Sequence, residues 1–403
     1  MLGINTISRI SVGSGRSFVA LDEASLIAES RERTRLDDFG DEAFRRPLGV
    51  LLQSFENDAD LNLVGRICVR SEILRMLCNR LLMEEDRKQN PQVREERILR
   101  PIFITGLPRS GTTFLHALLA QDPRCRAPQL WEVMRPSPPP ESSMYGSDPR
   151  IVQAEKQLRW LDVLMPEFGK FHLIDARYPH ECIAITAHSS MSYLFESMYQ
   201  VPLYRAWHDA QDKRPAYAFH KRFLQHLQCR CPGTHWVLKA PSHLMALDAL
   251  LDVYLDADIV VTHRDPLNVL ASCASLKKVL TRPFTNRLDT EALRTDVNLR
   301  WEGSLRFAME FRQKNEDLRQ RFHDVFYPDL MKDPLAVVRE IYRFFDRELT
   351  PEAETTMQRF AVKNPKDNNG RHHYSLEEFG FDRETERRRF QFYTDYYGIL
   401  PEA

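Results

Sequence analysis

The sequence is sparing with the features that most quickly settle a protein's class. Its seven cysteines are odd in number and scattered, with Cys229 and Cys231 the only close pair. No C-x-x-C pair or zinc-ligand spacing occurs, which excludes a disulfide framework and points to reduced thiols. No run approaches the roughly 18 apolar residues of a membrane span. The formal net charge is −1, so no whole-protein field would gather nucleic acid or an anionic membrane. Any anion site must be built locally. There is no internal repeat, and the one biased tract, RPSPPPE at 135–141, is a loop or polyproline turn. Residues 1–20 carry Arg9, Arg16 and several serines but no acid, and read as a frayed tail rather than a transit peptide. These absences predict a cytoplasmic protein without a transmembrane segment.

What is present is a core. The chain has 403 residues, 43% of them apolar and 10% aromatic, enough for one large α/β domain with additions. Residues 21–99 read as a helical layer: FRRPLGVLLQSF and SEILRMLCNRLLMEEDRK place leucines three and four apart, with charge on the other face. From residue 100 to 403 strands alternate with helices. RPIFITG is a short β-rich run, and the helix after it places Phe114, Leu115, Leu118 and Leu119 on one face before Asp122-Pro123 stops it. Next come strand His235–Lys239, a helix opening near Ser242, strand Ile259–Thr262, and a helix from Pro266. The stretch FHDVFYPDLMKDPLAVVREIYRFFD repeats the pattern. A helix between two apolar strands is a right-handed crossover, so the sheet is parallel. The expected fold is a three-layer P-loop-like α/β fold with helices on both faces and the helical layer added at the N-terminal side.

In such a sheet, ligands bind beyond the carboxyl ends of the strands. The first strand runs into Arg109-Ser110-Gly111-Thr112-Thr113, the second ends at Lys239, and the third at His263-Arg264-Asp265. Three strands each deliver a cation to one edge, which suits a polyanion. The first of these turns, GLPRSGTT, has the two glycines of a phosphate loop, five residues apart, but puts Thr112 where nucleoside triphosphatases need lysine. Without that lysine, and with no acidic metal site after another strand, magnesium–triphosphate fits poorly. A shorter, less charged anion held without metal fits better. A glycine turn feeding a helix N-terminus still offers backbone N–H groups, and Thr112 and Thr113 add hydroxyls.

The set GLPRSGTT, LKAPSHL, DADIVVTHRDPLNVLASCASL and NNGRHHYSLEEFGFD resembles the sulfotransferases that use 3′-phosphoadenosine 5′-phosphosulfate (PAPS), in particular the bacterial branch related to the tyrosylprotein sulfotransferases. The likeness runs from about residue 30 to 385. It implies sulfuryl transfer to a hydroxyl, with PAPS as donor and no metal. It also implies that Arg109, Ser110, Gly111, Thr112 and Thr113 hold the 5′-phosphosulfate, and that Arg264 and Ser272 hold the 3′-phosphate. Arg371, His372 and Tyr374, in a loop over the site at about 363–380, would touch cofactor or acceptor. Lys239 and Arg109 would stabilise charge on the leaving oxygen. The general base in the tyrosylprotein enzymes is a glutamate soon after the loop helix. Glu132 sits in the matching region, and His180, Glu181 and His188 compete with it.

The acceptor is the least legible part. Trp131, Met134, the loop 136–140, and the stretches 168–173 and 195–207 are candidates to line an apolar pocket. With no basic track for a long acidic glycan, a small hydroxylated or lipid-like acceptor is expected. Two other readings stand beside this one. A P-loop kinase or other nucleotide-binding protein would want lysine at 112 and a metal-holding aspartate. A non-catalytic member of the fold would be expected to have lost at least one of Arg109, Lys239 and Arg264.

Overall fold

The computed structural model of the chain describes residues 15, 16, 18–167, 169, 174–364 and 376–402. Its centre is a five-stranded parallel sheet: β1 (Ile102–Gly106), β2 (Cys125–Arg126), β3 (His235–Lys239), β4 (Asp258–His263) and β5 (Phe322–Phe326), in spatial order β2-β3-β1-β4-β5. Every residue of β1, β3 and β4 is buried. Strands covered on both faces need unbroken apolar runs rather than alternation, which is how IFITG, HWVLK and DIVVTH read. The expected third strand gains one residue at each end, and β2 was not anticipated. Two residues without an apolar run carry no strand signal.

One face of the sheet is covered by a core that includes Phe103, Leu238, Ile259, Phe223, Trp301 and Tyr393. The other is covered by Leu115, Leu118, Leu119, Val338 and Ile341, packed on Ile104 and Val260. The helix after β1, Thr112–Leu119, therefore buries the face its leucine spacing marked. The helix expected near Ser242 is instead a 3₁₀ turn, Pro241–Met245, followed by the α-helix Leu247–Val253. Pro241 fixes the entry, and Ala246 interrupts the two with non-helical backbone.

Three helices, Glu23–Thr34, Arg45–Asn57 and Leu63–Gln89, form the added layer. The last starts where Asn62 accepts the Gly65 N–H at 2.8 Å, a capping contact that satisfies an otherwise orphaned donor. Leu48, Leu51, Phe55, Leu74 and Leu77 of this layer meet Phe195, Tyr199 and Tyr204. The aromatic stretch 195–207 is thus largely core, not pocket lining. No helix among the described residues is long and apolar enough to cross a membrane.

Candidate active site

β1 ends at Gly106, paired with Thr262 of β4, while Lys239 of β3 pairs with Ile104. The carboxyl ends of three strands therefore open side by side. Gly106 has φ +141°, and a Cβ there would lie 2.4 Å from the Thr262 carbonyl oxygen, so only glycine lets these strands approach. Gly111 caps the following helix at φ +89°, and a Cβ would meet Leu330 at 2.7 Å. Between them the turn closes on itself. The Ser110 hydroxyl donates to the Leu107 carbonyl and lies 2.5 Å from the Thr262 hydroxyl. Ser110 is fully buried and Thr112 nearly so, while Thr113, the second residue of the helix, is half-buried.

Arg109 is exposed, with φ +65°, and its carbonyl accepts from Arg264 at 2.7 Å. Thr113 accepts from the Lys239 ammonium at 3.1 Å. Lys239 is 1% exposed and ion-paired with Glu181. The turn after it is pinned by the Thr105 hydroxyl, 3.0 Å from the Ala240 carbonyl. Its charge also reaches His116 beneath the loop. Burial first, and then Lys239, push that imidazole down to about 3, so it stays neutral and bonds the Val237 carbonyl at 3.0 Å.

Arg264 leaves β4 with its guanidinium 3.9 Å above the centre of the Tyr327 ring. Its Nε and Nη2 donate to the two carboxylate oxygens of Glu402, each at 2.8 Å. The Glu402 N–H in turn reaches Asp265 at 3.1 Å. A planar two-oxygen anion on Arg264 is the arrangement a phosphate would adopt. Ser272 lies buried on the next helix, Pro266–Thr281. Arg371, His372 and Tyr374 lie outside the described residues.

The candidate bases separate clearly. Glu132 has no exposed surface. One oxygen pairs with Arg126, and the other accepts the Gln129 N–H at 2.8 Å and the Tyr145 hydroxyl at 3.0 Å. It closes a capping box on the helix Leu130–Met134, the local signature that E three residues after Q supplies. His188 is 1% exposed and held by the Ala184 carbonyl and Asn79, each at 3.0 Å. Burial pushes it down to about 3. His180 is half-buried, its backbone N–H on the Pro128 carbonyl at 2.7 Å. Glu181, directly after it, is the carboxylate that meets Lys239, and its side chain keeps 17% of its surface exposed. Trp131 and Met134 pack in a small core with Ile151 and Ala154, and of 168–173 only Gly169 is described. Among the described residues, one cluster has metal-ligand spacing, Glu196, His208 and Asp209. Arg300 pairs with both of its carboxylates, so the charge a cation would answer is already answered.

A parallel sheet whose glycine turn lacks the triphosphate lysine, and whose neighbouring strands bring Lys239 and Arg264 to that turn, defines a P-loop-like α/β fold. Residues 101–351 match the model of the sulfotransferase family, and the chain belongs to that family. Its structure is similar to sulfotransferase STF1 from Mycobacterium tuberculosis H37Rv, at 34% identity and TM-score 0.82, over 92% of this chain and 98% of that one. It is also similar to sulfotransferase STF9 from Mycobacterium avium, at 28% identity and TM-score 0.87, over 95% and 98%. The omega-hydroxy-beta-dihydromenaquinone-9 sulfotransferase Stf3 of Mycobacterium bovis is 27% identical over 261 residues, 60% of this chain. The match spans 62% of that relative's length.

Proposed function

We propose that the chain transfers a sulfuryl group from PAPS to a hydroxyl of a small or lipid-like acceptor in the cytoplasm, without a metal. The observation that carries this reading is the junction of Lys239, Thr113 and Glu181, where a buried ammonium meets a loop hydroxyl and a mostly buried carboxylate. The named activity of Stf3 on a menaquinone derivative supports an acceptor with apolar character.

The residues present fit the donor. The amides at the start of Thr112–Leu119 and the hydroxyls of Thr112 and Thr113 would hold the 5′-phosphosulfate, with Arg109 at the loop's outer side. Arg264, which already grips a carboxylate, would take the 3′-phosphate, with Ser272 on the next helix as its second contact. PAPS supplies the sulfuryl group, whose bond to the phosphate oxygen breaks as the acceptor oxygen bonds to sulfur. Lys239 stabilises the negative charge that grows on the departing oxygen, the largest electrostatic contribution such a site makes. Glu181 takes the proton from the acceptor hydroxyl. The likeness to the tyrosylprotein branch, where a carboxylate has that role, favours an acid over His180, the second candidate. Glu132 would hold the helix Leu130–Met134 against Arg126.

The test is PAPS-dependent turnover with and without a chelator, on wild type, Lys239→Ala, Glu181→Gln and Glu132→Gln. Loss of one such charge-stabilising donor lowers kcat by about 10² to 10³, and that is expected for Lys239→Ala with donor affinity nearly unchanged. Glu181→Gln should lose turnover, and the folded Glu132→Gln should keep it. Full activity in Glu181→Gln, or activity that collapses with chelation, would reject the reading.

A further inference from the structure

Beside the reacting groups lies a solvent-open cavity of about 80 Å³. Two short elements frame it: the helix Cys182–Thr186, which begins directly after Glu181, and the 3₁₀ turn Pro241–Met245, which begins two residues after Lys239. Its apolar wall is Ile183, Met191, Tyr193, Tyr217 and Met245, and its far rim carries Asp209 and Lys213. The rim is rigid. Lys213 donates to the Gln211 carbonyl at 2.7 Å, and Asp209 is held by Arg300 at 2.5 Å.

One polar atom in this lining has no explanation in the fold. His243 lines the cavity, is 2% exposed, and faces the Tyr217 hydroxyl through Nδ1 at 2.7 Å. Its Nε2 is buried without a hydrogen-bond partner. Burial above all, with the Lys239 charge nearby, holds this imidazole neutral. A neutral ring presents either a donor or an acceptor at Nε2, whichever the Tyr217 contact leaves over. An unmet buried polar atom costs stability, and a ligand's hydroxyl or carbonyl would relieve it.

We infer that this cavity is the acceptor site and that it takes the hydroxylated head of a compact apolar molecule, a ring-bearing alcohol or phenol. The inference rests on the sulfuryl-transfer reading and deepens it. The lining has the make-up of small-molecule sites, whose walls are mostly apolar with a few placed polar groups, and its small volume admits only a compact head. A sugar is disfavoured, because Ile183, Met191 and Met245 would strip water from its many hydroxyls and return no hydrogen bonds. The acceptor's ring rests against Tyr193, Tyr217 and Met245, its reacting hydroxyl faces Glu181 and Lys239, and His243 reads a second polar atom. A long tail, where one exists, leaves past Asp209 and Lys213.

The experiment uses naphthol and N-acetylglucosamine as acceptors with PAPS, and titrates 3′,5′-adenosine bisphosphate as a control. Met245→Trp and Ile183→Trp each narrow the cavity from one wall, so one variant serves if the other fails to fold. Naphthol should be the better acceptor. Either tryptophan should lower its kcat/KM at least about tenfold, the scale of misfit in an apolar pocket, while bisphosphate affinity stays the same. His243→Phe should raise the KM for a dihydroxynaphthalene and leave kcat unchanged. Preference for N-acetylglucosamine, naphthol turnover untouched by both tryptophans, or no naphthol turnover by a protein that binds the bisphosphate would overturn the cavity assignment alone. Failure to bind the bisphosphate would overturn the donor reading and this inference with it.

Discussion

Replacing Glu402 by glutamine is expected to tighten the binding of 3′,5′-adenosine bisphosphate. In the free chain Arg264 is clasped at two points by the Glu402 carboxylate, and the two side chains are 19% and 25% exposed. The pair is therefore better shielded than a surface ion pair and less so than a buried one. Charge-assisted pairing in that setting contributes about 1 kcal/mol after allowance for solvent screening. A ligand phosphate that needs Arg264 must first displace the carboxylate, so its apparent Kd is weakened by the fraction of molecules in which Arg264 is open. A difference of about 1 kcal/mol corresponds to roughly fivefold in Kd. The amide keeps the shape of the side chain and the backbone contact to Asp265, and removes only the charge. Calorimetry should show Glu402→Gln binding the bisphosphate about fivefold more tightly, and Arg264→Ala about tenfold or more weakly. In the Arg264→Ala background, the Glu402 substitution should have no further effect, since neighbours that share one interaction are not additive. An unchanged Kd in Glu402→Gln, or a gain that persists without Arg264, would refute the idea that carboxylate and phosphate compete for one guanidinium.

Glu132→Gln should lower stability by about 3 kcal/mol in urea unfolding, because Arg126 is left buried without its counter-charge; a variant as stable as wild type would remove the ion pair from the account of this helix. Gly111→Ala should fold poorly or lose donor binding, since the new methyl meets Leu330 at 2.7 Å in a backbone conformation with φ +89°; wild-type melting and binding would show that the turn adapts. Acid should destabilise the chain through histidines buried in their neutral form: burial pushes His116, His188 and His220 down to about 3, and His226 down to about 4. Below their unfolded value near 6.5 the unfolded chain binds protons that the folded chain refuses, so each costs up to about 1.4 kcal/mol per pH unit down to its folded value. The urea midpoint should therefore fall steeply from pH 7 to pH 5, and a flat profile would mean that these imidazoles are not held neutral.

The parallel sheet and the edge where Lys239 and Arg264 gather were legible because unbroken apolar runs alternating with helices leave few topologies open. The placing of Lys239 and Arg264 was legible for the same reason: one ends β3 and the other directly follows β4, and the ends of parallel strands share one side. Glu132 and Glu181 could not be told apart in this way. Each lies at the start of a short helix, and local pattern is equally content with either. What separates them is which cation each meets, Arg126 from β2 in one case and Lys239 from β3 in the other. The aromatic stretch 195–207 misled as a pocket lining because an apolar face reads alike whether it meets a ligand or the leucines of another helix.

By itself, then, the sequence determined what is written in short-range pattern: the four apolar strands, the glycine turn without its lysine, and the cations delivered to one edge. Only the tertiary structure decided the pairings between distant segments. Glu402 reaches Arg264 from 138 residues away, Glu181 reaches Lys239 across 58, and the cavity is drawn from helices and turns between 182 and 246. Contacts of that span depend on how whole elements pack, and packing is a property of volumes and surfaces that no local spacing of residues encodes.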